Sequence, residues 1–351
     1  MDLKNDRSIR VTEVCLRDGS HVLSHQYTEE QVRSVVRGLD DAGMHYIEVS
    51  HGDGLGGSTL QFGKSLVNEM KLIEAAVDES NHSTIAVLLL PGIGTVHELK
   101  EAHRLGAGLV RVATHVTEAD VSAQHIHMAR DLGMETLGFL MMAHMTPINK
   151  LVEQAKLMET YGAQAVYVTD SAGALLPGQV RERIAALRES LQIEVGFHAH
   201  NNLSLAVANT LIAIEEGATR IDGSLRCLGA GAGNAQTEVL LAVLERMGVD
   251  VGIDIYKLMD LSENIIGPLI PRAQEINKGS LVLGYAGVYS SFLLHAERAG
   301  KRFNLDPRDI LIELGKRKVV GGQEDMILDV ASELAQSYVQ RGLKHDTSIN
   351  Y

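Results

Sequence analysis

The chain reads as an α/β protein built on a (β/α)8 barrel, a TIM barrel, with a helical appendage at its C-terminal end. Three observations predict this. Between Ile9 and Gly248 a short apolar run followed by an amphipathic helical run recurs through about 240 residues, which matches a barrel in number and size. The strand runs are nearly continuous in apolar residues rather than alternating, as parallel strands covered on both faces should be. No Gly-rich fingerprint follows the first strand, which disfavours an open doubly wound sheet.

The predicted strands are Arg10–Leu16, Tyr46–Ser50, Ile85–Leu90, Leu109–Thr114, Thr136–Met142, Ala165–Thr169, Glu194–His198 and Arg220–Ser224. The helices fall near Glu29–Ala42, Lys64–Asp78, Val96–Leu105, Ala119–Leu132, Ile148–Tyr161, Gln179–Leu191, Ser204–Glu216 and Ala235–Met247. Ala-Gly, Leu-Gly, Tyr-Gly and Glu-Gly pairs close several of them, because glycine takes the left-handed position after a helix without steric cost. After Met247 the repeat stops. Asp254–Ile265 reads as one helical run, and Pro268 and Pro271 break the chain. Helical patterns follow at Val288–Ala299, Pro307–Leu314 and Asp325–Gln340, and the end from Leu343 reads as frayed. The expected organisation is a catalytic barrel over 1–270 and a helical domain over 271–351 that closes the barrel or forms an interface.

Composition narrows the class. The chain has 351 residues, 45% of them hydrophobic, and no Trp, so its core is built from aliphatic residues and Met. A net charge of -13 argues against nucleic acid as a partner, since phosphate contacts need a basic face. Cys15 and Cys227 lie far apart and fit a reducing compartment; each is expected as a small buried residue near a strand end rather than in a disulfide. The polar start, Met1 to Asp6, does not read as a signal peptide, and no apolar run approaches the roughly 20 residues that span a bilayer. The expectation is a cytoplasmic enzyme with no membrane partner.

In a barrel the residues that follow each strand share one mouth, where active sites form. The stretch Gly196-Phe197-His198-Ala199-His200-Asn201-Asn202 ends the seventh strand. Side chains two apart in a strand point the same way, so His198 and His200 project together. They read either as metal ligands or as two hydrogen-bonded histidines at a strand edge. Leu16-Arg17-Asp18-Gly19-Ser20-His21 ends the first strand and adds a carboxylate. Two His and one Asp leave open metal positions for a bidentate substrate and water. Mn²⁺ or Mg²⁺ suits an oxygen-rich substrate such as a 2-oxo acid, and Fe²⁺ with an oxygenase reaction is the alternative for the same ligand set.

The rest of the polar ring is Glu48, Ser50, His51 and Asp53 after the second strand, then His115, His144, Asp170 with Ser171, and Arg226 with Gly229 to Asn234. Arg17 beside Asp18 places a fixed charge where it would stabilise an enolate oxygen or clamp a carboxylate, or else pair with Glu48. His21 reads as a general base or as a solvated loop histidine. His82, His97, His103, His125 and His127 read as surface residues. No Lys falls inside a predicted strand, so imine catalysis is not expected.

Five stretches together identify a resemblance. They are Leu16 to His21, Glu48-Val49-Ser50-His51-Gly52-Asp53-Gly54-Leu55-Gly56-Gly57, Gly138 to His144, Val168-Thr169-Asp170-Ser171-Ala172-Gly173-Ala174 and Gly196 to His200. With Gly284-Tyr285-Ala286-Gly287-Val288-Tyr289-Ser290-Ser291-Phe292 in the tail, they resemble the 4-hydroxy-2-oxovalerate aldolases, over nearly the whole chain. These are the pyruvate-forming class II aldolases of aromatic meta-cleavage pathways, within a wider group that includes hydroxymethylglutaryl-CoA lyase.

The resemblance implies that Asp18, His198 and His200 hold a divalent metal, typically Mn²⁺, with Mg²⁺ or Co²⁺ as alternatives. His21 would take the C4 hydroxyl proton of 4-hydroxy-2-oxovalerate, or of a close analogue such as 4-hydroxy-2-oxohexanoate. Pyruvate and acetaldehyde, or propanal, would result, with Arg17 stabilising the enolate. Asp18, Ser171, His198 and Tyr289 would contact substrate, and Leu88 and Leu90 would wall the aldehyde pocket. The resemblance further implies an acylating acetaldehyde dehydrogenase as partner in a hetero-oligomer, docked on the appendage and receiving the aldehyde directly. An acyl-CoA Claisen lyase or synthase on the same barrel is the alternative. Such relatives usually carry Gln where this chain has His21, and Glu-Arg where it has Ala230 and Gly231. Asn201 and Arg226-Cys227-Leu228 stand at positions that vary among the aldolases and leave substrate length open.

Overall fold

A computed structural model describes residues 9–340, so Met1 to Asp6 and the end from Leu343 lie outside the described residues. Eight parallel strands close on themselves in chain order. They are β1 (Arg10–Glu13), β2 (Tyr46–Glu48), β3 (Thr84–Leu89), β4 (Leu109–His115), β5 (Glu135–Met141), β6 (Ala165–Asp170), β7 (Glu194–Ala199) and β8 (Arg220–Gly223), with β8 paired to β1. Around them run α1 (Glu29–Asp41), α2 (Glu69–Glu79), α3 (Val96–Arg104), α4 (Ala123–Asp131), α5 (Ile148–Tyr161), α6 (Pro177–Ser190), α7 (Ala206–Glu215) and α8 (Thr237–Arg246). This is the TIM barrel that the repeat predicts.

Strand parity sorts the core. Val110 and Val112 of β4 pack with the helices, whereas Leu109 and Ala113 join Leu88, Phe139 and Tyr167 in a separate cluster inside the barrel. Arg111 shares the inward parity and is fully buried. Helix entry is set by local side chains. Thr28, for example, accepts from the Gln31 amide while the Gln31 side chain accepts from Thr28, a reciprocal cap on α1.

Several boundaries differ from the sequence pattern for identifiable reasons. β1 ends at Glu13 rather than Leu16. The Glu13 carboxylate accepts from the Cys15 amide (3.0 Å), the Leu225 amide (2.9 Å) and the Thr237 hydroxyl (2.6 Å), so the chain wraps the side chain instead of extending the ladder. α2 begins at Glu69, capped by Asn68, rather than at Lys64. The residues before the cap are tied to the loop after β1, with Leu66 donating to the His25 carbonyl at 3.1 Å. His125, expected at the surface, is buried on α4. Cys15 is buried and Cys227 half-buried, and both are free thiols.

Beyond the barrel, α9 (Ile255–Leu261) passes through a π turn at Ser262–Ile266 into the short α10 (Gly267–Leu269). Four helices follow, α11 (Lys278–Ala286), α12 (Phe292–Phe303), α13 (Pro307–Lys316) and α14 (Met326–Gln340). The pattern at Val288–Ala299 is not one helix. Gly287, at φ +66°, ends α11, a turn follows, and α12 begins at Phe292. Leu283, Val288, Phe292 and Ala296 look like one stripe in sequence, yet they reach a common apolar cluster from two helices and the turn between them. Among the described residues no helix is long and apolar enough to cross a membrane.

Candidate active site

The strand ends bring Asp18, His198 and His200 together. Asp18 opens a 3-10 turn after β1, His198 lies near the end of β7, and His200 stands one residue past it. Asp18 Oδ2 lies 3.7 Å from His198 Nε2 and 3.6 Å from His200 Nε2. All three residues are buried.

Each imidazole is held by its other nitrogen. His198 Nδ1 lies 2.7 Å from Asp222 Oδ2, and His200 Nδ1 lies 3.3 Å from the Ala230 carbonyl. A carboxylate and a carbonyl only accept, so both Nδ1 atoms donate and both Nε2 lone pairs face Asp18. Burial pushes His200 down to about 4, against the pull of Asp18, so its ring is neutral at neutral pH, the form that ligates. Burial alone would raise Asp18, yet the adjacent Arg17 holds its carboxyl well below the usual range. Asp18 Oδ1 accepts the Ala230 amide at 3.0 Å.

A sealed ionic network supports this centre. Arg17 Nε donates to Glu48 Oε2 at 2.6 Å, and its Nη1 donates to Asp18 Oδ2 at 3.0 Å. Arg111 Nε donates to Glu48 Oε1 at 2.6 Å, and Nη1 reaches Asp222. Arg111 and Glu48 are fully sealed from water and Asp222 nearly so. Three carboxylates, Asp18, Glu48 and Asp222, thus face two guanidiniums, leaving an uncompensated negative charge beside two free imidazole lone pairs. That donor set suits a divalent cation. Nη2 of Arg17 is buried and has no hydrogen-bond partner among the described residues, so one arm of the fork is open to an anionic oxygen.

His21 closes the same 3-10 turn. Its ring lies over Gly52, where an added Cβ would come within 2.5 Å of Nε2. The Gly52 carbonyl also receives Arg17 Nη1 at 3.4 Å, so base candidate and guanidinium meet on one backbone unit. The His21 ring packs edge-on to His25, which stacks on His51. Ser171 Oγ accepts from the Met142 amide at 3.1 Å, which leaves its O–H free to donate.

The remaining candidates stand further out. Leu88 packs in the interior cluster with Phe139, whose ring meets His198 edge-on at 5.3 Å, and Leu90 lies at the edge of that cluster. Tyr289 lies on the turn between α11 and α12, packed on Phe292. The next residue, Ser290, reaches Asn202 of the β7 loop at 3.5 Å. No hydrogen bond or ring contact joins Tyr289, Leu88 or Leu90 directly to Asp18 or His200 among the described residues. His115 and His144 stay outside the metal set, and His144 Nε2 donates to the Gly287 carbonyl at 3.1 Å.

Arg111, Asp222 and Asn202 are site residues that sequence reasoning missed. A signal existed for the first two, since Arg111 is a charge at an inward position of an otherwise largely apolar β4, and Asp222 shares the inward face of the short β8 with a second charge, Arg220. Backbone strain marks the same mouth, with Ser24, His25, Met142, Ser204, Arg226 and Cys227 all at positive φ in loops that follow strands.

Residues 8–265 match the HMGL-like family, and residues 274–336 match the DmpG-like communication domain. The chain is 78% identical over 336 residues to a 4-hydroxy-2-oxovalerate aldolase of Bacillus thuringiensis, covering 96% of this chain and 98% of that protein. A 4-hydroxy-2-oxovalerate aldolase of Geobacillus stearothermophilus is 68% identical, covering 94% and 96%. Among solved structures, the HMG-CoA lyase of Bacillus subtilis superposes with a TM-score of 0.66 at 21% identity, covering 77% of this chain and 97% of that one. The carboxyl transferase domain of Rhizobium etli pyruvate carboxylase gives 0.78 at 15%, covering 99% and 64%. These two likenesses speak to fold. The chain belongs to the HMGL-like family and, within it, to the 4-hydroxy-2-oxovalerate aldolases.

Proposed function

We propose that the chain catalyses the divalent-metal-dependent retro-aldol cleavage of 4-hydroxy-2-oxovalerate, or a close 4-hydroxy-2-oxo acid, to pyruvate and an aldehyde. The observation that carries the chemistry is the convergence of Asp18, His198 and His200 beside an arginine with one arm unpaired among the described residues. Those three residues would hold the cation, and Mn²⁺ is the proposed ion. When bound, it supplies Lewis acidity to the 2-oxo group.

The chain's own residues do the rest. His21 accepts the C4 hydroxyl proton. As C4–O becomes C4=O, the C3–C4 bond breaks and its electron pair forms the pyruvate enolate. Arg17 Nη2 hydrogen-bonds the developing enolate oxygen, held in place by Glu48 and Asp18. A proton returned to C3 completes pyruvate. Ser171 donates to the substrate carboxylate, Tyr289 contacts substrate from the helical region, and Leu88 and Leu90 bound the aldehyde end. Among the described residues no lysine lies on β1–β8, so no strand offers an imine route.

The proposed domain boundary lies near residue 270. The match to a communication domain supports an acylating acetaldehyde dehydrogenase as partner, with the helices after Pro271 as its docking surface and direct transfer of the aldehyde. Aromatic degradation in the cytoplasm is the proposed setting. The deciding experiment is pyruvate release from 4-hydroxy-2-oxopentanoate after EDTA treatment and again with Mn²⁺ restored. Release that returns with the metal is the expected result. No release with any divalent metal by the folded protein would sink the reading and direct attention to acyl-CoA substrates.

A further inference from the structure

We propose that Asn202 is a positioning residue that locks three loops of the mouth and the helical C-terminal region into one register. The proposal rests on the reading above in taking Ser171 and Tyr289 as substrate contacts. Asn202 is fully buried, two residues beyond His200. Its Oδ1 accepts the Ala232 amide at 2.8 Å, and its Nδ2 donates to the Ala172 carbonyl at 2.9 Å and reaches Ser290 Oγ at 3.5 Å.

Each partner neighbours a site residue. Ala232 lies two residues after Ala230, whose amide donates to Asp18 and whose carbonyl holds His200. Ala172 follows Ser171, and Ser290 follows Tyr289. One side chain therefore touches the segment that sets two metal ligands, the loop that carries Ser171 and the turn that carries Tyr289. A second strut runs parallel to it, with Gln274 Nε2 donating to the Gly229 carbonyl at 2.8 Å.

The chemistry of the position is specific. Only a carboxamide offers an acceptor and two donors on one short stem. The surroundings are shaped to it. Gly231 sits at φ +67°, and a Cβ there would lie 2.6 Å from Asn202 Oδ1 and 3.0 Å from Ser290 Oγ. Removing the amide would leave a buried N–H and C=O unpaired, which loosens the loops that bear them.

Two limbs can be separated by substitution in the full chain. Asn202→Asp keeps the acceptor for Ala232 and loses the donors to Ala172 and Ser290. It is expected to bind Mn²⁺ as the parent does, by EPR titration, while KM for 4-hydroxy-2-oxopentanoate rises about 10-fold. Asn202→Ala cuts both limbs and is expected to weaken Mn²⁺ about 10-fold as well. Ser290→Ala cuts only the link to the helical region, so KM should rise about 3-fold with kcat and Mn²⁺ affinity unchanged. A purely structural role would move Mn²⁺ affinity and KM together in both Asn202 variants, and that pattern overturns the proposal. If the Asn202 variants fail to fold by circular dichroism, Ser290→Ala decides, and an unchanged KM rejects the cross-domain link. A parent protein that releases no pyruvate would count against the aldolase reading, whereas the Mn²⁺ titrations would still judge the metal-side limb.

Discussion

The two ends of the barrel interior both carry arginines paired with acids, and they are built differently. At the lower end Arg220 donates to Glu194 at 2.9 Å and pairs with Glu135, which also accepts from Tyr46 at 2.9 Å. Glu135 and Glu194 are 24% and 29% exposed there. At the mouth Arg111 and Glu48 are 0% exposed. Water-screened pairs contribute little to stability, whereas sealed charges hold geometry because breaking one strands another. The lower cluster plugs the barrel. The upper one aims Arg17 and His198 and leaves an excess of negative charge where a cation would bind.

Breaking the upper end should have the largest effects. His21→Ala is expected to lower kcat for pyruvate release by about 10²–10⁴-fold with Mn²⁺ affinity retained. If the metal is lost instead, His21 is a ligand and not the base. Arg17→Lys should cost about 10²–10³-fold, because one ammonium cannot serve Glu48, Asp18 and an enolate together. Near-parent turnover would remove Arg17 from the chemistry. Asp222→Asn should weaken Mn²⁺ by about 10–100-fold through His198, read by EPR titration. Unchanged affinity would show that Asp222 does not orient the ligand.

Glu13 sharpens the comparison. It is buried like Glu48 but has no guanidinium partner among the described residues. Burial raises it from 4.5 to about 7, against its hydrogen bonds from Thr237, Leu225 and Cys15. Glu48 is also opposed by burial, yet Arg111 and Arg17 lower it. A raised carboxyl binds its proton more tightly when folded. The stability it contributes is full below pH 4.5 and is lost as pH rises through about 7. Glu13→Gln keeps a neutral acceptor for both amides. In urea titrations it should remove a fall on the order of 3 kcal/mol between pH 5 and 8. Parallel profiles for parent and variant would mean that Glu13 stays ionised. The smallest effect belongs to the lower end, where Glu135→Gln should leave turnover within about twofold and lower Tm by about 2 °C or less.

Much of the architecture was legible in the residues, because local rules wrote it. Eight apolar runs, their glycine stops and the convergence of strand ends place Arg17, Asp18, Ser171, His198 and His200 at one mouth before any coordinate is known. The pattern fails at two points for different reasons: the Glu13 carboxylate draws the chain around itself at the end of β1, and the left-handed backbone of Gly287 ends α11 before α12 begins. Residue patterns alone set the barrel, the side-chain types gathered at its mouth and the family. Which nitrogen each histidine turns toward Asp18, the placing of Arg111 and Asp222 behind them, and the joining by Asn202 of loops 30 and 88 residues away came only with the folded arrangement. The physical reason is range. Strand parity and helix stops act between neighbours in the chain. Hydrogen bonds that satisfy buried charges act between whichever groups closure of the barrel brings together.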